Sequence, residues 1–188
     1  DKTEISVETL AGIKYLKLIL KDGKVDLVTV DMGAPELQAE KIPVALRLDE
    51  VIDQPIQVGS TVYQMTCVSM GNPHAVVFVD AVEKFPLETV GPLFEHHVMF
   101  PNRVNAEFIE VLNRKEVNMR VWERGTGETL ACGTGACASA VACILNHKTE
   151  DEITLHLLGG DLKVAWDREK NTIYMTGPAR VVFDGEIN

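Results

Sequence analysis

Hydrophobic and polar residues alternate along much of this chain, a pattern that predicts half-buried β-strands. The alternation is clear over residues 5–9, 13–20 and 25–30, with Lys21-Asp-Gly-Lys24 as a turn between the second and third strands. These three strands predict a hairpin meander that ends near Gly33. Further strands are predicted over residues 60–70, 75–80, 104–112, 117–123, 154–158, 161–166, 172–175 and 179–183.

Two segments instead have the character of a helix. Apolar residues recur three and four positions apart within residues 86–97, which begin with a proline suited to a first helical turn. The second helix is predicted after Cys132 and runs to about Leu145 through small and apolar residues, so we expect it to be buried. The whole pattern predicts a strand-rich α+β fold with one central helix.

Composition and charge narrow the classes of function. The chain has 188 residues, enough for one large domain or two small ones, and 46% of them are hydrophobic. A formal net charge of −10 argues against a nucleic-acid partner, because binding to phosphates needs a positive surface. No apolar run approaches the roughly 20 residues of a membrane-spanning helix, and the first residues lack a signal-peptide pattern. We therefore expect no nucleic-acid and no membrane partner.

The spacing of the cysteines bears on compartment and metal content. There is no C-x-x-C pair and no neighbouring histidine cluster, so the chain has no zinc signature. A secreted disulfide framework would be denser in cysteine and shorter. We expect no metal site, a cytoplasmic location and four reduced thiols, which are Cys67, Cys132, Cys137 and Cys143.

Cys132 is the best candidate for a reactive group. It precedes a Gly-Thr-Gly turn at the predicted start of the buried helix, where unpaired N–H groups and the positive end of the helix dipole favour a thiolate. The same N–H groups could hold a carboxylate or a developing oxyanion. Free cysteines are more commonly small buried hydrophobes, and that reading suits the other three.

Polar residues elsewhere could complete a site for an acid. Glu123 falls on the same strand face as three apolar residues, so it is expected to be partly buried, and Arg124 offers a fork that can hold a carboxylate. His74 titrates in a useful range. Asn72 and Asn105 could donate amide hydrogen bonds to a substrate. Each of these residues alone could equally be a structural residue of a turn or strand end.

Taken together, the motifs resemble those of the diaminopimelate epimerase family. They occur in the order and approximate spacing of that family along essentially the whole chain. The four main motifs are Met70-Gly-Asn-Pro-His74, Arg103-Val-Asn-Ala106, Trp122-Glu-Arg-Gly-Thr-Gly-Glu-Thr129 and Ala131-Cys-Gly-Thr-Gly-Ala-Cys-Ala138, and two later ones are Leu158-Gly-Gly-Asp-Leu162 and Tyr174-Met-Thr-Gly-Pro-Ala179.

The resemblance implies an enzyme that interconverts LL- and meso-diaminopimelate, in lysine and peptidoglycan biosynthesis, without pyridoxal phosphate or another cofactor. In the family, two cysteines act on opposite faces of the α-carbon, one as thiolate base and one as thiol acid. Cys132 matches the second cysteine, the proton acceptor for the LL substrate. His74 and Glu123 match positions that tune the pKa values of the thiols. The positions that match substrate-binding residues are Asn72, Asn105, Glu123, Arg124, Gly133 and Thr134.

One family feature does not occur in these 188 residues. The first cysteine of the family lies in an N-terminal Cys-Gly-Asn-Gly segment after a Gly-Asn-Asp motif, and neither string is present. The resemblance implies two similar domains facing each other across the site. Residues 1–33 then correspond to remnant strands of the first domain, 34–177 to the second domain, and 178–188 to a strand returning to the first. We expect half an active site and an inactive fragment, whose partners would be the missing N-terminal domain and a possible second copy.

Three other functions stay open at this point. Proline racemase-like isomerases also use paired cysteines, and phenazine-biosynthesis isomerases share the fold without them. A non-catalytic thiol module would use Cys132 only as a redox sensor. A purely structural fragment is also compatible with the pattern. The Gly-Asn-Pro-His and Glu-Arg-Gly-Thr-Gly-Glu-Thr strings favour diaminopimelate epimerase.

Overall fold

The alternating segments form strands of one large mixed sheet. The structure is a computed structural model that describes residues 2–10, 12–181 and 183–186. Within these residues it contains twelve strands, two α-helices and a short 3₁₀ turn at residues 82–84. The helices are α1 (Leu87–Glu95) and α2 (Gly133–Leu145). The strands are β1 (Glu4–Thr9), β2 (Gly12–Lys21), β3 (Lys24–Gly33), β4 (Gln54–Val58), β5 (Thr61–Ser69), β6 (Pro73–Phe78), β7 (Asn105–Asn113), β8 (Glu116–Glu123), β9 (Gly127–Glu128), β10 (Glu152–Leu157), β11 (Gly160–Asp167) and β12 (Thr172–Pro178).

The strand order shows how distant segments meet. Along the sheet the strands run β1-β2-β3-β12-β11-β10-β8-β7-β6-β5-β4, and the short β9 pairs with β8. Neighbours are antiparallel except β6 with β7 and β8 with β10, which are parallel. The first three strands form the predicted meander, and β3 joins it to the rest of the sheet through β12. A hairpin at Gly159-Gly160 joins β10 to β11.

Helix α2 is the buried centre of the fold, as predicted. Its residues from Gly135 to Ile144 are all buried, and it contacts β5, β6, β7, β10, β11 and β12. Alanine, glycine, serine and cysteine predominate, so the backbone can approach the surrounding strands closely. Apolar side chains from the inner strand faces complete this core, among them Val76, Ile109 and Leu155. A strand-rich domain therefore wraps around a central helix.

Helix α1 covers a second core on the opposite face of β5 to β7. Pro86 caps its N-terminus, so the predicted proline-led helix is confirmed. Phe94 packs edge-on against Phe108 with ring centroids 5.5 Å apart, and Phe85 stacks on Phe108 at 4.3 Å. Neighbouring residues of one strand enter different cores because side chains alternate across a sheet.

Two sequence predictions about strands need correction. The predicted strand over residues 179–183 is wrong for the residues of that range that the structure describes, because β12 ends at Pro178, which has no N–H for the ladder. One long hydrogen bond extends past Pro178, from the Ala179 N–H to the Asp26 carbonyl at 3.3 Å. Strand β4 was not predicted individually. It contains Pro55 and lies at the edge of the sheet, where a proline is tolerated.

Neither helix in the described residues is long and apolar enough to cross a membrane.

Helix α1 also makes a close contact with Trp122 near the end of β8. A Cβ on Gly91 would lie 2.5 Å from two atoms of the Trp122 indole ring, so the helix backbone touches the ring directly. The Trp122 Nε1–H donates to the Glu95 carboxylate at 2.8 Å, which holds the ring in place. Gly91 is therefore needed for close approach.

Replacing Gly91 with alanine is expected to destabilise the fold. Alanine favours a helix, but here the added methyl group overlaps a held ring, and such overpacking costs about 1–3 kcal/mol. The urea midpoint followed by circular dichroism should fall for Gly91→Ala. Thr89→Ala, at an exposed position of the same helix, is the control and should leave the midpoint unchanged or slightly higher. A raised midpoint for Gly91→Ala would contradict the close contact.

Candidate active site

Strand register brings the predicted site residues to one end of the sheet. The parallel pairing of β6 with β7 sets His74 opposite Asn105, and the antiparallel pairing of β7 with β8 sets Ala106 opposite Trp122. The starts of β6 and β7 therefore lie beside the end of β8. Helix α2 begins close to the same end, since a Cβ on Gly135 in its first turn would lie 2.7 Å from the Oε1 of Glu107 on β7.

Cys132 is the N-cap of α2, as predicted. Its backbone is extended, and its Sγ accepts a hydrogen bond from the Gly135 N–H at 3.3 Å. The Thr134 hydroxyl lies 3.6 Å from the same sulfur. The residue is only 8% exposed. The first-turn N–H groups that follow, at Gly133 and Thr134, have no partner within the helix and are available to an anion.

Burial dominates the ionisation of Cys132. Burial, followed by the negative charge of Glu107, raises the pKa of the thiol to about 11 from an ordinary 9.0. The contacts with Thr134 and Gly135 lower the pKa but do not compensate, and the charge of Glu123 raises it further. The N–H of Gly135 at the helix N-terminus does favour the thiolate, as predicted, but burial and the two carboxylates outweigh it and raise the pKa of the thiol.

A buried histidine and glutamate form the polar centre of the site. His74 and Glu107 are both 0% exposed, and the His74 Nδ1 lies 2.7 Å from the Glu107 Oε1. The other ring nitrogen, Nε2, lies 3.0 Å from the Asn72 Oδ1. A chain of three side chains thus runs from the loop before β6 into the sheet. It brings together two predicted residues and one that was not predicted.

Glu107 was missed in the sequence, although a signal was present. It interrupts the apolar run from Val104 to Ile109, and it has the same strand parity as Asn105. A carboxylate at an inward position of a buried strand is unusual unless it is paired. Strand alternation therefore could have identified Glu107 as a site residue.

Asn105 holds two loops of the site together. Its Oδ1 accepts from the Arg124 N–H at 2.9 Å, and its Nδ2 donates to the Pro73 carbonyl at 3.0 Å. The Arg124 guanidinium is exposed and donates to the Asn102 carbonyl at 2.9 Å. Asn105 therefore positions the turn that carries Arg124, and the exposed guanidinium remains accessible to a ligand.

Glu123 and Gly133 both lie close to Cys132, the first near enough for its charge to act on the thiol and the second as the next residue in the chain. Glu123 is half-buried, as predicted, and its Oε1 accepts a short hydrogen bond from the Thr129 hydroxyl. A Cβ on Gly133 would lie 3.3 Å from the end of Met175, so the start of α2 sits close to β12. The structure thus places Glu123 and Gly133, like Thr134, around Cys132.

Glu95 is a second residue that sequence reasoning missed. It is 4% exposed and accepts hydrogen bonds from the Trp122 Nε1–H at 2.8 Å and the Gly125 N–H at 2.9 Å. Arg103 lies 3.3 Å away. Burial opposes its ionisation, but these partners outweigh burial and hold the pKa of Glu95 below its usual value. Glu95 therefore anchors both sides of the Glu123-Arg124 segment from α1, with no distinct signal in the sequence.

The arrangement can bind an acid beside a thiol and move a proton at that thiol. Arg124 and the N–H groups at the start of α2 suit a carboxylate, and Cys132 supplies a proton donor or acceptor. Within the described part of the chain, no group of three or more histidine, cysteine, aspartate or glutamate side chains could hold a metal ion. All four cysteines are free thiols.

Comparison with known proteins identifies the family of this arrangement. Residues 66–182 match the sequence model of the family described as "Diaminopimelate epimerase". A diaminopimelate epimerase of Agathobacter rectalis is 58% identical over 196 residues, which cover 100% of this chain and 68% of that protein. That of Acetivibrio thermocellus is 55% identical over 188 residues, covering 100% of this chain and 67% of that protein. The chain thus spans about two thirds of the length of these relatives.

Solved structures match at the level of the fold. A hydroxyproline epimerase from Agrobacterium vitis superposes with a TM-score of 0.70 and 18% identity, over 95% of this chain and 57% of that one. A probable proline racemase from Agrobacterium radiobacter has a TM-score of 0.66 and 16% identity, over 98% of this chain and 62% of that one. These matches confirm the predicted α+β fold of the epimerase type.

The raised pKa of Cys132 predicts slow alkylation at neutral pH. Only the thiolate reacts with iodoacetamide, so the rate at Cys132 should keep rising with pH up to about 10, without a plateau. Peptide mass spectrometry after timed alkylation of the native chain gives the rate for each cysteine. A plateau below about pH 8 would mean that the helix N-terminus outweighs burial.

Proposed function

The chain belongs to the diaminopimelate epimerase family, and from this membership we propose that its Cys132 site interconverts LL- and meso-diaminopimelate. The observation that carries the proposal is the position of Cys132 as N-cap of the buried helix α2. The exposed Arg124 directly follows β8, at the end of the sheet where the other site residues lie. A thiol beside a carboxylate-binding surface is what removal of an α-proton from an amino acid requires.

The proposed chemistry is a proton transfer on one face of the α-carbon. With the LL substrate, the Cys132 thiolate takes the α-proton, so the C–H bond breaks, an S–H bond forms and the electron pair stays on the α-carbon. The N–H groups of Gly133 and Thr134 would stabilise the charge that spreads onto the substrate carboxylate. A second acid on the opposite face gives its proton to the carbon, which inverts the configuration.

The protonated resting state of Cys132 fits the reverse direction directly, because a thiol can donate to a carbanion formed from the meso substrate. For the LL direction the thiolate must form first. The ammonium group of a bound substrate, placed beside the sulfur, would lower the pKa of the thiol by direct charge attraction. Glu123 and His74 are the proposed tuning residues, and Asn72, Asn105, Glu123 and Arg124 the proposed substrate-binding side chains.

We further propose that the second acid comes from outside these 188 residues. Cys67, Cys137 and Cys143 are buried in the cores, and burial raises the pKa of Cys137 and Cys143 to about 12. In the proposed division, residues 34–177 form the domain that carries Cys132. Both core clusters draw their buried residues from Ala39 to Ile173, which supports this division. Residues 1–33 and 178–188 would belong to a second domain.

The proposed location is the cytoplasm. Four free cysteines in a chain of this length are expected where the surroundings keep thiols reduced. No cofactor is part of the proposed chemistry, since the thiol and the backbone N–H groups supply the proton transfer and the charge stabilisation.

The function is tested with the full product of the gene that encodes these residues. It should convert LL- to meso-diaminopimelate, measured by chiral chromatography, and Cys132→Ala should lower kcat by about 10²–10⁴-fold, the range for loss of a positioned acid or base. Cys143→Ala, a buried change at the far end of the same helix, is the control and should retain activity. Racemisation of proline without action on diaminopimelate would favour a proline racemase, and inactivity on both would favour a thiol sensor.

The 188-residue chain alone is expected to give no detectable conversion. It supplies a thiol for one face of the α-carbon, so the proton lost cannot be replaced from the other face. The same assay, with intact-mass analysis to exclude a co-purified fragment, measures this. Conversion at a rate close to that of the full gene product would show that both acid–base groups lie within these residues.

A further inference from the structure

The carboxylate of Glu107 is the most confined charge in the described structure. It is completely buried, and Oε1 is paired with the His74 Nδ1 at 2.7 Å. Its other oxygen, Oε2, has no hydrogen-bond partner among the described residues. Leaving a buried carboxylate oxygen unpaired costs free energy of folding, so stabilisation of the fold alone does not explain a glutamate at this position. A role toward the neighbouring site accounts for its presence.

Hydrogen counting shows what Glu107 does to His74. Both ring nitrogens of His74 face oxygen atoms, the Glu107 Oε1 and the Asn72 Oδ1. An amide oxygen only accepts, so Nε2 must carry a hydrogen. The Nδ1 contact with Glu107 fixes the position of the imidazole ring in the sheet. Glu107 thus holds the ring so that Nε2 faces the Asn72 oxygen, which turns the Asn72 NH₂ group away from His74.

Glu107 also lies against the start of α2. A Cβ on Gly135 would be 2.7 Å from the Glu107 Oε1 and 3.1 Å from the Cys132 Sγ. Only the absence of a side chain at Gly135 allows the carboxylate and the sulfur to approach the same point. The charge of Glu107 is the second cause, after burial, of the raised pKa of Cys132.

Other ionisable groups face this pair from the surrounding elements. Cys132 also faces Glu123 from β8 and Cys137 from its own helix. Glu107 faces His74 from β6 and Cys67 from β5, whose pKa it also raises after burial. Of the two carboxylates that act on Cys132, Glu107 is the fully buried one and therefore the one less screened by water.

We propose that Glu107 is a positioning residue of the site, which orients the Asn72 amide through His74 and opposes formation of the Cys132 thiolate through its own charge. The effect on Asn72 rests on the proposed function, because Asn72 is a proposed substrate-binding residue. The effect on Cys132 is a property of the thiol alone. The two effects separate experimentally, since one depends on the reach of the side chain and the other on its charge.

Glu107→Gln tests the charge while conserving the shape. In the 188-residue chain, alkylation of Cys132 by iodoacetamide at about pH 8.5 should be several-fold faster than in the parent, because loss of the charge lowers the pKa of the thiol and raises the fraction of thiolate. Glu110→Gln, on the same strand but the opposite face, is the matched control and should leave the rate unchanged. An unchanged rate in Glu107→Gln overturns the effect on Cys132. So does equally faster labelling of Cys67 and Cys137, which would indicate loosening of the fold.

Glu107→Asp tests the reach while keeping the charge. The shorter side chain cannot hold the His74 ring in the same way, so KM for diaminopimelate in the full gene product should rise several-fold with a smaller change in kcat. The alkylation profile of Cys132 should stay like that of the parent. An unchanged KM overturns the effect on Asn72. Because alkylation needs no substrate, its result stands whether or not the gene product is an epimerase.

Discussion

The enclosure of helix α2 by the sheet is the constraint on which the rest of the structure depends. Six strands contact the helix, so nearly every residue from its second turn onward is buried. Only small side chains leave room for strands on so many sides. The less enclosed first turn of the helix lies at the end of the sheet where β6 and β7 begin and β8 ends. Cys132 and the polar residues of the neighbouring strand ends meet there.

Enclosure also decides the ionisation of Cys132. A pKa of about 11 instead of an ordinary 9.0 corresponds to about 3 kcal/mol against the thiolate. The dipole of a helix contributes roughly 0.3–1 kcal/mol at its N-terminus. Burial and two carboxylates therefore outweigh the helix dipole and the hydrogen bond from Gly135. The surroundings of Cys132 therefore disfavour the thiolate.

The sequence predicted most of the strands and the position of Cys132 at the start of α2. It did not predict Glu95 and Glu107, the buried carboxylates that hold the site residues through hydrogen bonds. Alternation is a local property, so the strands from β5 to β8 were found with small errors at their ends. Strand β4 was not, because Pro55 weakens its signal and its place depends on an edge of the sheet. Glu95 reaches the Trp122 segment only through tertiary packing of α1. Glu107 could have been found from strand parity, whereas its closeness to Cys132 depends on how α2 docks.

Gly135 has a consequence for how the site can vary. Every other amino acid would bring a carbon to within 2.7 Å of a buried carboxylate oxygen, so a replacement requires the Glu107 side chain, the helix or the strand to move. The Cys132 sulfur and the Glu107 carboxylate therefore share a space that only a glycine at position 135 leaves open. Substitutions that change the charge of either group leave this space unchanged, whereas any side chain at position 135 would enter it.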